Sequence, residues 1–140
     1  FERVKHLLGA SSINGIEKLQ SLWSGYGGIY RVDLEGYRAP SVIVKFIELK
    51  GSKDHPRGWA TDISHERKLK SYAVETEWYE QYSALLSDDI KIPQLLFSER
   101  EEKIQILAME DLSEAYPNLK SQCTLKPIMY VRLKLRLSGP

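Results

Sequence analysis

A glycine-rich turn near the start of the chain is the feature that most constrains its fold. Two segments with strand-like patterns, residues 16–23 and 29–34, flank this turn. The turn consists of Ser24, Gly25, Tyr26, Gly27 and Gly28. Glycine allows a sharp turn and lets backbone N–H groups approach a phosphate without obstruction by a Cβ atom. The pattern predicts an antiparallel hairpin whose turn is either a plain connection or a phosphate-binding loop.

The remaining segments predict an α+β fold. Residues 41–49 are rich in β-branched side chains, and residues 90–98 and 103–109 are two further short, mainly apolar segments. Residues 62–86 have a helical pattern, and a short helical turn before Gly9 precedes the first strand. We therefore expect an antiparallel sheet of about five strands with one long helix packed on it.

The composition narrows the class of protein. The chain has 140 residues, 42% of them apolar, which is enough for one domain with a core. The formal net charge of +1 gives no general case for nucleic acid or an anionic membrane as a partner. A single cysteine excludes a disulfide framework, and no apolar run has the length of a membrane span. We expect a cytoplasmic protein without a signal peptide, and the start at Phe1 suggests a fragment or a processed start.

Lys45 is the first candidate functional residue. It closes the apolar run Val42-Ile43-Val44 and lies 20 residues after Gly25. A charge is unusual in a central strand, and kinases place the lysine of V-A-I-K there to reach the α- and β-phosphates of ATP. Alternatively, Lys45 lies at a strand end and extends its ammonium group to water.

Glu75 is the predicted partner of Lys45. At about 100° per residue, one sector of the predicted helix is aromatic and apolar, and Glu75 falls in its middle. The sector contains Tyr72, Tyr79, Tyr82 and Leu86. A carboxylate there is costly unless a cation pairs with it, which favours an ion pair with Lys45. If the sector is only partly buried, Glu75 is solvated instead.

The end of the last predicted strand is the third candidate. Residues 103–109 lead into Glu110, Asp111 and Leu112. This is either an ordinary strand exit or the hinge of a kinase fold, where backbone groups bind the adenine edge. The histidines have no metal-ligand spacing, because Leu69 stands where H-E-x-x-H requires its second histidine. We expect no metal site in this chain, and we expect Cys123 to be inert.

The order of a glycine turn, a strand lysine, a helix glutamate and an acidic strand exit resembles the small lobe of the aminoglycoside phosphotransferase and choline kinase group. The resemblance is closest to the bacterial choline-kinase-like proteins, which are related to the ecdysteroid-kinase-like group. Six short segments carry it, and their combination is specific although each alone is not. They lie at residues 22–27, 42–45, 55–59, 64–72, 75–79 and 109–112.

The resemblance implies an ATP-binding lobe over residues 16–117, with ATP and Mg²⁺ as ligands. The loop from Ser24 to Gly28 would cover the phosphates, Lys45 would contact the α- and β-phosphates, and Glu75 would hold Lys45. Backbone groups of Glu110 and Leu112 would bind adenine, and the adenine pocket would be lined by Val32 and Met109.

The sequence also departs from this family. It contains no H-x-D and no D-F-G, which in the family supply the catalytic base and metal ligands from a large lobe. It ends 30 residues after Glu110. We expect this polypeptide alone to be inactive, and an alcohol substrate such as choline is implied only if a large lobe is supplied.

The last segment, residues 118–140, differs from the rest of the chain. It contains basic residues and no acidic one, and residues 131–137 alternate between apolar and basic. It is a late strand, a basic arm for an acidic partner, or sequence that a frameshift or premature stop has made foreign to the fold.

At the other end of the chain, we expect residues 1–15 to be an N-terminal segment separate from the lobe.

Two other functions are open at this point. A non-catalytic module of kinase ancestry would bind a nucleotide or a protein, and its exposed interlobe face would favour self-association. A nucleic-acid binder would use the basic tail, but that tail offers Tyr130 as its sole aromatic platform.

Overall fold

The computed structural model describes residues 1–22, 25–49, 62–86 and 90–117, with the backbone alone for residues 62–64. The helices are α1, Glu2–Leu8, and α2, Asp62–Glu77, which continues through a π-helical turn, Trp78–Tyr82, and a 3₁₀ turn, Ser83–Leu85. The strands are β1, Ser12–Ser21; β2, Gly27–Glu35; β3, Ser41–Glu48; β4, Leu95–Arg100; and β5, Ile104–Glu110. The predicted α+β class is confirmed, with five antiparallel strands and one long helix packed on the sheet.

The strand order is β1-β2-β3-β5-β4, and all neighbours are antiparallel. β3 is therefore the central strand. β1 begins at Ser12, earlier than predicted, because it pairs with β2 as far as Glu35 through two register irregularities. β4 begins after Pro93, since proline has no N–H to donate to a strand. The expected N-terminal segment, residues 1–15, thus supplies α1 and the start of β1.

The two faces of the sheet have different covers. Strand alternation places Val32, Val42 and Val44 on one face, where they are buried with Val4 of α1. We call this the α1 face. The opposite face carries Lys45, and we call it the α2 face because α2 packs there.

Gln105 shows how α2 is held on the sheet. This buried residue of β5 donates hydrogen bonds to the Tyr72 carbonyl oxygen, at 3.2 Å, and to the Thr76 hydroxyl of α2. A buried amide that lost these partners would keep an unsatisfied polar group, so the contact fixes where the helix lies. No helix in the described part of the chain is long and apolar enough to cross a membrane.

Candidate functional site

Lys45 and Glu75 form an ion pair between the central strand and α2. The Lys45 Nζ lies 2.5 Å from the Glu75 Oε2, and Lys45 is only 9% exposed. Lys45 pairs in register with Ile29 of β2 and Leu107 of β5, so both strand neighbours restrict its path to water. A nearly buried ammonium group needs an anionic partner, and Glu75 supplies it. The contact predicted from the sequence is present.

Tyr72 completes the surroundings of the ammonium group. The Lys45 Nζ lies 5.3 Å from the centroid of the Tyr72 ring, a distance that gives a favourable cation–π interaction. Burial, together with the negative charge of Glu75, raises the pKa of the Tyr72 hydroxyl. The Tyr72 hydroxyl is therefore neutral at neutral pH.

The aromatic sector predicted around Glu75 is only partly correct. Tyr72 and Tyr79 are partly buried, but Tyr82 is 51% exposed. The backbone widens into a π-helical turn at Trp78–Tyr82, so residues beyond Glu77 no longer follow the angular spacing of an α-helix. Glu75 itself is 34% exposed at its side chain, which gives the ion pair one solvent-facing side.

The glycine turn lies beside Lys45 along the sheet. Gly27 pairs with Ile47 and Ile29 pairs with Lys45, so the turn begins about 7 Å along β2 from the lysine. The Leu22 N–H donates to the Gly27 carbonyl oxygen, which closes the turn at 3.0 Å. Gly25 and Gly27 have positive φ angles of 73° and 118°. Ser24 lies outside the described residues, as do residues 55–59.

Tyr26 takes a position that the sequence did not predict. Its side chain is buried against α2, where its hydroxyl shares a 2.5 Å hydrogen bond with the His65 Nδ1. The Tyr72 ring centroid lies 6.1 Å from that of Tyr26, and the Lys68 ammonium group lies 5.2 Å from it. The Tyr26 carbonyl accepts a hydrogen bond from the Glu48 N–H. Tyr26 therefore holds the turn against α2.

A mainly apolar pocket of about 270 Å³ opens at the end of β5. Its lining includes Ile43, Pro93, Met109, Glu110, Leu112 and Tyr116. Ile43 precedes Lys45 by two residues, so strand alternation places both on the α2 face. The pocket and the ammonium group thus lie along one strand, about 7 Å apart at the backbone. Met109 is also among the residues that line this pocket.

Val32 does not line the pocket, contrary to expectation. Its register partner is Val42, and both are fully buried in the core on the α1 face. Ile43 does line this pocket, and strand alternation from Lys45 would have identified it. The kinase-like spacing of the glycines and Val32 therefore does not predict on which face of the sheet the Val32 side chain lies.

Some backbone N–H and carbonyl groups at the end of β5 already form hydrogen bonds within the protein. The Glu110 N–H donates to the Gln94 carbonyl oxygen at 2.8 Å, and the Leu112 carbonyl accepts from the Tyr116 N–H at 2.9 Å. No acceptor among the described residues takes the Leu112 N–H. For the predicted contacts with adenine, Glu110 keeps its carbonyl oxygen, whereas Leu112 keeps its N–H and the second lone pair of its carbonyl oxygen.

Comparisons with known proteins add no family assignment. No protein-family model matches the chain, and no curated protein resembles it at a significant level. Within residues 1–22, 25–49, 62–86 and 90–117, no group of three or more histidine, cysteine or acidic residues could hold a metal ion. What these residues offer chemically is a held cation, a backbone turn and an apolar pocket with backbone polar groups.

Asp111 is the most strongly held acid near the pocket. Its carboxylate accepts hydrogen bonds from the Arg31 Nε at 2.8 Å, the Ser41 hydroxyl at 2.9 Å and the Ser113 N–H at 2.8 Å. Its side chain is only 5% exposed. Burial opposes ionisation, but the bonds from Arg31, Ser113 and Ser41 outweigh it and lower the pKa of Asp111 to about 2. No pattern in the sequence indicates the contact with Arg31, which lies 80 residues earlier.

Asp111 should make the stability of the protein depend on pH in the acid range. Its folded-state pKa of about 2 lies below the unfolded value of 3.8, so its contribution is complete above pH 4 and is lost as pH falls towards 2. The contribution is on the order of 2 kcal/mol. The difference in unfolding free energy between wild type and Asp111→Asn should shrink by about half between pH 6 and pH 3.

Urea unfolding at the two pH values measures this difference. Glu17→Gln is the matched control, because Glu17 also contacts Arg31 but its side chain is 63% exposed. It should show a small difference that hardly changes with pH. A difference for Asp111→Asn that is the same at both pH values would contradict the prediction.

Proposed function

We propose that residues 16–117 form the ATP-binding small lobe of a small-molecule kinase similar to the aminoglycoside phosphotransferase and choline kinase group. The observation that carries the proposal is the ion pair of Lys45 and Glu75. It holds an ammonium group on the α2 face, with the glycine turn in one direction along the sheet and the apolar pocket in the other.

Stability alone does not account for this ion pair. Moving an ammonium group out of water is costly, and well-packed apolar residues often stabilise a fold as much as a buried ion pair does. A charge retained in the centre of a sheet therefore favours a role in binding. Glu75 is partly exposed, and the open side of the pair gives an anion a route to Lys45. A phosphate group is an anion whose oxygens can accept hydrogen bonds both from a lysine and from the backbone N–H groups of a turn.

The pocket supports a nucleotide rather than phosphate alone. Its volume of about 270 Å³ and its mainly apolar lining suit one planar base. The Leu112 N–H and the Glu110 carbonyl are groups available for the base edge. From a base in this pocket, the phosphates would extend along β3 towards Lys45. Mg²⁺ would arrive with the nucleotide and neutralise charge on its phosphates.

Binding measurements with ATP, ADP and AMP test the proposal. Since the lysine is expected at the α- and β-phosphates, removing the γ-phosphate should weaken binding less than removing the β-phosphate as well. AMP should bind at least about tenfold more weakly than ADP. Equilibrium dialysis at constant ionic strength measures all three dissociation constants. Equal affinities for the three nucleotides, or no binding, would contradict the proposal.

Phosphate transfer is not expected from this polypeptide. The sequence lacks the H-x-D and D-F-G residues that the resembled kinases use as base and metal ligands. ATP and an alcohol such as choline, incubated with the pure protein, should therefore yield no phosphorylated alcohol. The identity of the alcohol belongs to the large lobe that such a kinase requires.

A further inference from the structure

The carboxylate of Asp111 connects the end of β5 to two other strands. Arg31 belongs to β2 and Ser41 is the first residue of β3, and both donate to the same Oδ2 atom of Asp111. We call Asp111, Arg31 and Ser41 the clamp. Its atoms are largely withdrawn from solvent, since the side chain of Asp111 is 5% exposed and that of Arg31 is 19% exposed.

The clamp lies directly beside the pocket. In the sheet register, Arg31 pairs with Ile43, and Ile43 pairs with Met109. Arg31, Ile43 and Met109 therefore form one row across β2, β3 and β5. Ile43 and Met109 line the pocket, and so does Asp111 itself, which the clamp joins to Arg31 at the far end of this row.

The clamp also fixes the backbone that borders the pocket. Asp111 lies between Glu110 and Leu112, and its other carboxylate oxygen accepts the Ser113 N–H at 2.8 Å. The bonds of the Glu110 N–H to Gln94 and of the Leu112 carbonyl to Tyr116 hold the two flanking residues. Because the backbone on both sides of Asp111 is held by these hydrogen bonds, the position of the Asp111 carboxylate determines the direction of the Leu112 N–H.

We propose that the clamp is a positioning device that makes the pocket select the hydrogen-bonding edge of adenine. The inference rests on the proposed nucleotide site and adds its base specificity. Adenine presents an acceptor at N1 and a donor at its amino group, whereas hypoxanthine presents a donor at N1 and an acceptor at O6. A fixed N–H and a fixed carbonyl match the first edge and oppose the second.

A purely structural clamp would behave differently. Its loss would destabilise the fold and weaken all nucleotides by a common factor. A positioning clamp fixes the direction of backbone groups, so its loss reduces the preference between two bases of nearly equal size. The preference for ATP over inosine triphosphate is therefore the quantity that distinguishes the two roles.

The experiment measures dissociation constants of the purified 140-residue protein for ATP, inosine triphosphate and inorganic tripolyphosphate. The wild type should bind ATP at least about tenfold more tightly than inosine triphosphate. In Asp111→Asn, which keeps the size of the side chain and removes the charge that holds Arg31, this preference should fall below about threefold. The affinity for tripolyphosphate should stay within about twofold, because that ligand has no base.

Two further variants keep the test decisive. Glu17→Gln removes the exposed partner of Arg31 and leaves the bonds to Asp111, so it should retain the wild-type preference. Ser41→Ala removes one of the hydrogen bonds to Asp111 and should reduce the preference by about threefold, even if Asp111→Asn does not fold.

The outcomes separate this inference from the proposed function. A wild type that binds none of the three ligands overturns both. A wild type that binds tripolyphosphate and both nucleotides without preference overturns the inference alone. The inference is also overturned if folded Asp111→Asn keeps the wild-type preference for ATP over inosine triphosphate. If Asp111→Asn does not fold, Ser41→Ala decides in the same way.

Discussion

Replacing Lys45 with methionine should weaken ATP binding by about 10- to 100-fold. A hydrogen bond to a charged group contributes about 1.5–3 kcal/mol, and Lys45 offers the ammonium group placed between the turn and the pocket. Methionine keeps most of the buried side-chain length, so the core around β3 loses little packing. The remaining Glu75 carboxylate is partly exposed and can be solvated. The variant should therefore fold and lose mainly its affinity for phosphate.

Isothermal titration at fixed ionic strength measures this loss, with tripolyphosphate as a second ligand that must weaken in parallel. Lys18→Met is the matched control, because Lys18 lies on the opposite face, with its ammonium group 5.9 Å from the Tyr30 ring centroid. The same charge is lost there, on the face of the sheet away from Lys45 and the pocket. Equal weakening by both variants would indicate a general charge effect and would remove Lys45 from the site.

Glu75 provides an internal check on the same result. If its role is to hold Lys45, Glu75→Gln should weaken ATP binding less than Lys45→Met does. The double variant should bind no more weakly than Lys45→Met alone, because a holding residue has nothing left to hold. Additive losses would mean that Glu75 contacts the nucleotide independently of Lys45.

Local patterns predicted the fold class and the centre of the site. Glycine and proline marked the turns, and β-branched runs marked the strands, so the α+β class followed from the sequence. The pairing of Lys45 with Glu75 followed from two local patterns. Lys45 ends an apolar strand segment, helix geometry places Glu75 in an aromatic sector, and each charge is costly to bury alone. Arguments of this kind depend on short segments, and a single sequence contains them.

Contacts between distant segments were the part that could not be predicted. The bond from Tyr26 to His65 joins residues 39 positions apart, and the one from Arg31 to Asp111 joins residues 80 apart. Such contacts depend on strand order and on the placement of α2. The direction of the Val32 side chain also could not be predicted, because strand register decides it and the spacing of a motif does not. The expectations for residues 118–140 lie outside the described residues.

Gly27→Ala should have the largest effect on stability of any substitution in the turn. An added Cβ would lie 2.1 Å from the carbonyl oxygen of Phe46, far inside van der Waals contact, and the φ angle of 118° is strained for any other residue. The oxygen belongs to the backbone of central strand β3 and cannot move without disturbing its pairing. We expect the unfolding free energy to fall by about 3 kcal/mol or more, a large share of the stability of a small domain.

Gly25→Ala is the control that separates the two causes. Gly25 also has a positive φ, 73°, but a Cβ there meets no atom within 4 Å. It should therefore incur only the cost of left-handed backbone, about 1–2 kcal/mol. Urea unfolding of both variants gives the difference, and equal losses would mean that the contact with Phe46 relaxes easily. A larger loss at Gly27 would mean that the close approach of β2 to β3 requires glycine at this position. The position of the turn relative to Lys45 would then depend on the same strand pairing that stabilises the sheet.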